Sequence, residues 1–166
     1  MADWDSDESC PLAALEVPVK LRTGDPWMPA PAYARSLTSL SINLIVRDIA
    51  GALSFHTEVL GARIIYSDPD FAVLQACGAE WMLHADHTYI GHPLHQQMTD
   101  SSGRGNGIEL RLHGLDPDTA EAAAAKLGYT VLAPATDKPH GLREAYILDS
   151  DGYLWVPDIH LGQSLT

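Results

Sequence analysis

Ile42-Asn43-Leu44-Ile45-Val46-Arg47-Asp48 leads into a helical pattern that ends at Leu60-Gly61, and the apolar run Ala62-Arg63-Ile64-Ile65-Tyr66 follows. The same order returns as Ile108-Glu109-Leu110-Arg111-Leu112, Asp116, a helical pattern, Leu127-Gly128 and Tyr129-Thr130-Val131-Leu132. The Leu-Gly pairs stand at 60–61 and 127–128, a period of about sixty-seven residues. Two copies do not build a solenoid. They predict two similar modules that pair to enclose something between them.

Working outward from the first copy, Leu40, Ile42, Leu44 and Val46 alternate with Ser41, Asn43, Ile45 and Arg47, a strand signal. Asp48 suits an N-cap because its carboxylate can accept from the free amides of a first helical turn. Ile49, Ala52, Leu53, His56, Val59 and Leu60 share one helical face, and Gly61 ends the helix. Strands are expected near 62–67, 70–76 and 80–85, with Asp68-Pro69 and Gly78 in the turns. In the second copy Asp116-Pro117-Asp118 supplies a cap, a proline at the first helical position and an acid in the first turn. Strands then fall near 129–134, 143–149 and 153–158. The predicted organisation is an N-terminal arm over 1–37, a module over 38–85, a linker over 86–106, a second module over 107–160 and a tail over 161–166. The proline-spaced Asp25-Pro26-Trp27-Met28-Pro29-Ala30-Pro31 excludes regular helix or central strand and predicts an extended segment. Either Trp27 and Met28 tuck into a groove on the body, or the arm stays free.

Composition sets bounds. Hydrophobic residues make up 46% and charged residues 19%, a globular balance. A net charge of −12 argues against nucleic acid, which requires clustered Lys and Arg. Cys10 and Cys77 form neither a disulfide framework nor a metal-ligand pattern. The acidic N-terminus is unlike a secretory signal, and no apolar run approaches a membrane span. A cytoplasmic protein with no membrane partner is the expectation.

The segments Leu44-Ile45-Val46-Arg47-Asp48, Phe55-His56-Thr57-Glu58-Val59-Leu60-Gly61 and Asp149-Ser150-Asp151-Gly152-Tyr153-Leu154-Trp155 resemble the vicinal oxygen chelate superfamily of glyoxalases, bleomycin-resistance proteins and extradiol dioxygenases. His56 stands where that family commonly has Tyr, and Ser150 where it has Pro. The resemblance implies an α+β fold of two βαβββ modules, each sheet a curled half-barrel around a cleft, and a homodimer. With the apolar set of each first strand on its helix, Ser41, Asn43, Glu109 and Arg111 would face the cleft, and a one-residue slip would reverse them all.

Metal-using relatives place His, Gln or Glu ligands on the first and last strands of the modules. Those positions fall here on Ser41, on Glu109 (or Ile108 in the neighbouring register), on Leu83 with His84 adjacent, and on Val156. Leu and Val offer no side-chain ligand and Ser is a poor one. No metal is therefore expected, although a divalent ion stays possible by two routes. His84, His87, His92 and His95 crowd one stretch with Asp86 and Tyr89, either as a metal cluster or as hydrogen-bonded linker histidines. A slip of the fourth strand would instead bring His84 inward near Glu109 and Asp158. His56 reads as a core histidine or a base. Glu109 and Arg111 form an ion pair or hold a polar ligand. His140 is a candidate ligand contact, and Arg143 braces the turn. Tyr153 and Trp155 alternate with Leu154 and Val156, so one pair faces the cleft; Trp155 and Val156 are both candidates at this point.

Three functions follow. The first is a metal-independent small-molecule-binding protein of the bleomycin-resistance-like type, holding a small organic ligand in the cleft between the modules. The ligand set is Ser41, Asn43, Leu83, Glu109, Arg111, His140, Trp155, Val156 and Asp158. The second is a metal-dependent lyase, isomerase or dioxygenase using His84, Glu109 and Asp158. The third is an accessory protein that contacts a partner through its arm.

Overall fold

The computed structural model describes residues 18–38, 40–99 and 104–162. The arm through residue 17 with Cys10, linker residues 100–103 and tail residues 163–166 lie outside the described residues. Helix α1 spans Ala30–Ser36, and Pro31 sits in its first turn, where a missing amide hydrogen costs no hydrogen bond. The arm is therefore not extended throughout.

Strand β1 (Ile42–Val46) is followed by α2 (Ile49–Ser54), capped by Asp48, whose carboxylate accepts from the Gly51 amide at 2.6 Å. The helix then widens into a π-helical turn over Phe55–Val59 instead of running on as regular helix. Strands β2 (Arg63–Ser67), β3 (Phe71–Ala76) and β4 (Ala79–Ala85) complete the module. The linker is not irregular throughout: it carries a 3-10 turn at Asp86–Tyr89 and the short helix α3 at His95–Thr99. The second module repeats the plan with β5 (Glu109–His113), α4 (Pro117–Leu127), β6 (Thr130–Asp137), β7 (Leu142–Leu148) and β8 (Leu154–His160).

Two four-stranded mixed sheets result, ordered β1-β4-β3-β2 and β5-β8-β7-β6. In each, the first strand runs parallel to the last and the other pairs are antiparallel. The parallel pairing forces a crossover, which the helix supplies. Leu44 and Val46, Trp81 and Leu83, Leu110 and Leu112, and Ile147 and Trp155 all enter one core shared by both modules. Phe55 joins the halves: its ring centroid lies 4.9 Å from that of Tyr129 and 6.4 Å from that of Trp155. Each such fully buried side chain contributes about 1.5–3 kcal/mol.

The free edge of β1 is closed by a side chain rather than another strand. The Tyr153 hydroxyl accepts from the Ile45 amide at 3.2 Å and donates to the Ile45 carbonyl at 3.0 Å. Arg104 adds a bond to that carbonyl at 2.9 Å and pairs with Asp86. Gly105 follows with φ +70°, and a Cβ there would lie 2.5 Å from the Tyr153 ring, so only glycine lets the linker pass. No described helix is long and apolar enough to cross a membrane.

Candidate ligand-binding site

Strand alternation decides which side chains leave the core. Pairing sets His84 opposite Ile45 on one side and Phe71 on the other, with Met82 opposite Asn43 and Val73. These residues form the face turned away from the helices. Leu83 lies on the core side and is fully buried. Of the two registers open for this strand, the slipped one holds: His84 is on the face turned away from the helices and Leu83 is in the core.

Over this face lies the arm, and between them is a cavity of about 470 Å³. Its walls are rings in succession. Trp27 stacks on Tyr66 at 5.7 Å, Tyr33 meets Phe71 edge-on at 5.8 Å, and Phe71 lies 4.6 Å from His84. Tyr89 continues the series, 5.7 Å from His84 and 4.8 Å from His92. The volume falls in the range of small-molecule sites, with aromatic walls and polar groups placed among them. No second-module residue lines it. This cavity lies between the first sheet and the arm, not in the cleft expected between the modules.

Lys20, Arg22, Asp70, His84, Thr88 and His92 bring polar groups to the lining, and several of them are held by hydrogen bonds. Asn43 donates from Nδ2 to the Tyr89 hydroxyl at 2.7 Å, and its Oδ1 lies 2.7 Å from His84 Nδ1. Burial pushes the His84 pKa below its ordinary value, with Asp68 pulling weakly the other way, so the imidazole is neutral at neutral pH. The arm is fastened by Asp70, whose buried carboxylate accepts from the Leu21 amide at 2.7 Å and the Arg22 amide at 3.3 Å. His87 Nε2 bonds the same Asp70 Oδ1 at 2.9 Å, and the Val19 amide donates to the His87 carbonyl.

The open face of the second sheet is different in kind. Arg111 pairs with Glu109 at 3.2 Å, with Asp158 at 3.4 Å and with Glu144. Burial acts against the charge on Arg111, but the surrounding carboxylates outweigh it and hold its pKa above the usual value. Burial likewise opposes ionisation of Glu144, and hydrogen bonds from Tyr146 and Arg111 overcome it. His113 binds Asp158 at 2.8 Å, and His140, exposed, stands 3.6 Å from Glu144. Glu109 and Arg111, read from sequence either as an ion pair or as holders of a polar ligand, stand within ion-pair distance. Arg143 braces its turn, bonded to Asp118 and Asp137.

Of the residues singled out from sequence as ligand contacts or metal ligands, His84 lines the cavity, and Asn43 bonds to His84 and Tyr89 from behind that wall. Ser41 is exposed beside a smaller polar hollow near Glu80. Glu109, Arg111, His140 and Asp158 belong to the second sheet's face. Trp155 packs on Trp81 at 5.2 Å in the core, so of the alternating pairs it is Leu154 and Val156 that turn away from the helices, and Val156 is itself fully buried. Tyr33, Phe71, Asp70 and Tyr89 as site residues were missed. The proline-spaced aromatics of the arm were the available signal.

The donor set does not fit a divalent ion. Ser41 and Val156 occupy positions that relatives fill with ligands, and Arg111 sits among the carboxylates that would have to bind a cation. Among the described residues no three His, Cys, Asp or Glu side chains come together to hold a metal. His84 lies on one sheet and Glu109 and Asp158 on the other. Of the linker histidines, His87 serves Asp70 and His92 accepts from the Leu94 amide.

Comparison with protein families matches residues 38–156 to the Glyoxalase/Bleomycin resistance protein/Dioxygenase superfamily. No curated protein matches the chain. Among solved structures it is similar to a glyoxalase-related enzyme from Fulvimarina pelagi, with 19% identity over 75% of this chain and 89% of that one, TM-score 0.59. A glyoxalase/bleomycin resistance protein/dioxygenase family enzyme from Burkholderia phytofirmans PsJN matches at 19% identity over 73% and 97%, TM-score 0.60. TioX from Micromonospora sp. ML1 matches at 22% identity over 78% and 100%, TM-score 0.55. Likenesses at such identities speak for the fold.

Proposed function

The chain belongs to the Glyoxalase/Bleomycin resistance protein/Dioxygenase superfamily, and within it we propose a metal-independent small-molecule-binding protein of the bleomycin-resistance-like type. The ligand is a planar organic molecule held between the arm and the first sheet. The observation that carries this reading is the run of rings from Trp27 through Phe71 and His84 to Tyr89 around a cavity of about 470 Å³. Flat apolar walls favour a flat apolar guest, each ring contact adding about 0.5–1.5 kcal/mol beyond burial. Carboxylates already paired with the Arg111 guanidinium support metal independence.

Calorimetric titration with planar two-ring aromatics tests the reading. Phe71→Ala should weaken binding about tenfold, while unchanged affinity would place the ligand elsewhere. The same reading takes the protein as a cytoplasmic homodimer. The exposed apolar side chains of Leu40, Ile42 and Ile108 support the association. Sedimentation as a monomer would remove it.

A further inference from the structure

The chain His84–Asn43–Tyr89 has a direction, and the direction selects a ligand. Asn43 donates from Nδ2 to Tyr89, so its Oδ1 is the atom turned to the imidazole. An oxygen there accepts only, and His84 must place its proton on Nδ1. In a neutral ring the other nitrogen, Nε2, is then a lone-pair acceptor. Among the described residues Nε2 has no hydrogen-bond partner, and it is not among the sealed unpartnered atoms of the core. His84 lies on the cavity wall between Phe71 and Tyr89.

The geometry points to His84 Nε2 as the specificity-determining acceptor of this site, which takes planar aromatic molecules carrying a hydrogen-bond donor on their edge, a hydroxyl or a ring N–H. This rests on the cavity being the ligand site. The alternative role, abstraction of a proton, is disfavoured by the same surroundings. Asn43 is a neutral partner and would stabilise an imidazolium far less than a carboxylate would. Burial between Phe71 and Tyr89 penalises the charged ring further, against the weaker pull of Asp68. Recognition is what the arrangement supports: the donor's proton stays on the ligand and is shared with Nε2. A ligand lacking the donor would leave Nε2 dry and unpaired, and that asymmetry creates selectivity.

The probes are 2-naphthol and its methyl ether, 2-methoxynaphthalene, titrated into the full chain at neutral pH by calorimetry. The naphthol should bind about tenfold more tightly than the ether. In His84→Phe, which keeps a ring against Phe71 and Tyr89, the two probes should bind equally, with the ether's affinity preserved as a check on the fold. Nitrogen-15 spectra of the free protein should show His84 protonated at Nδ1, and Asn43→Leu should release that preference. Equal binding of both probes to the wild type, discrimination that survives His84→Phe, or a ring protonated at Nε2 would each overturn the inference and leave the cavity standing as a binding site. Binding of neither probe would overturn the site and the inference with it.

Discussion

Asp70 is the residue on which the arm depends. Its carboxylate accepts from two arm amides and from His87, so one side chain joins three segments. Burial alone would raise its pKa, but the hydrogen bonds of His87, Leu21 and Arg22 outweigh this and hold it below the ordinary carboxylate value. A depressed folded value means that the attachment is fully present above the unfolded carboxylate range and is lost as pH falls through the folded one. Asp70→Ala should therefore free the arm at neutral pH. Hydrogen exchange at the Leu21 and Arg22 amides should quicken at least about tenfold, with the sheet amides unchanged. Equal protection in the variant would mean that Trp27 and Tyr33 hold the arm without Asp70.

Among the elements, the helix after Asp48 carries the clearest conflict between composition and place. Its π-helical turn sets His56 wholly inside, against Trp81 and Trp155 at ring distances of 5.8 and 5.3 Å. Among the described residues, neither His56 Nδ1 nor Trp81 Nε1 has a hydrogen-bond partner there. Burial lowers the His56 pKa to about 3, so the folded state refuses a proton that the unfolded chain takes up below about 6.5. Stability from the neutral ring is complete above that unfolded value and declines as pH falls towards the folded one, by about 1.4 kcal/mol per pH unit. His56→Leu should unfold in urea with near wild-type stability at neutral pH. Between about pH 6 and pH 4 it should lose about 2–3 kcal/mol less than the wild type. Parallel pH profiles would show that His56 is not the buried titrating group.

Across the whole molecule, the fold was legible because its signals are local and repeated. Asp48 and Asp116 cap the helices, Leu60-Gly61 and Leu127-Gly128 mark their ends, and Leu44/Val46 and Leu110/Leu112 alternate in the strands. The site was only partly legible, because its second wall is distant in sequence. Nothing in Trp27 or Tyr33 names Tyr66 or Phe71 as neighbours, and proline spacing concealed the helix that carries Tyr33. The register that puts Leu83 at the ligand position differs by one residue from the one that brings His84 there, and the sequence alone does not choose between them. Pairing with Phe71 and Ile45 settles the matter for His84. The linker histidines gave a metal-like pattern by crowding, but in space they serve the arm and their own turns.

The central claim is that the arm and first sheet bind a planar ligand without a metal. Its most direct test is calorimetric titration of tag-free protein with 2-naphthol before and after dialysis against a chelator, with metal content measured by mass spectrometry on the same samples. The account predicts no stoichiometric metal and the same affinity in both titrations. About one metal ion per chain, with binding lost on chelation and restored on adding that metal, would contradict it.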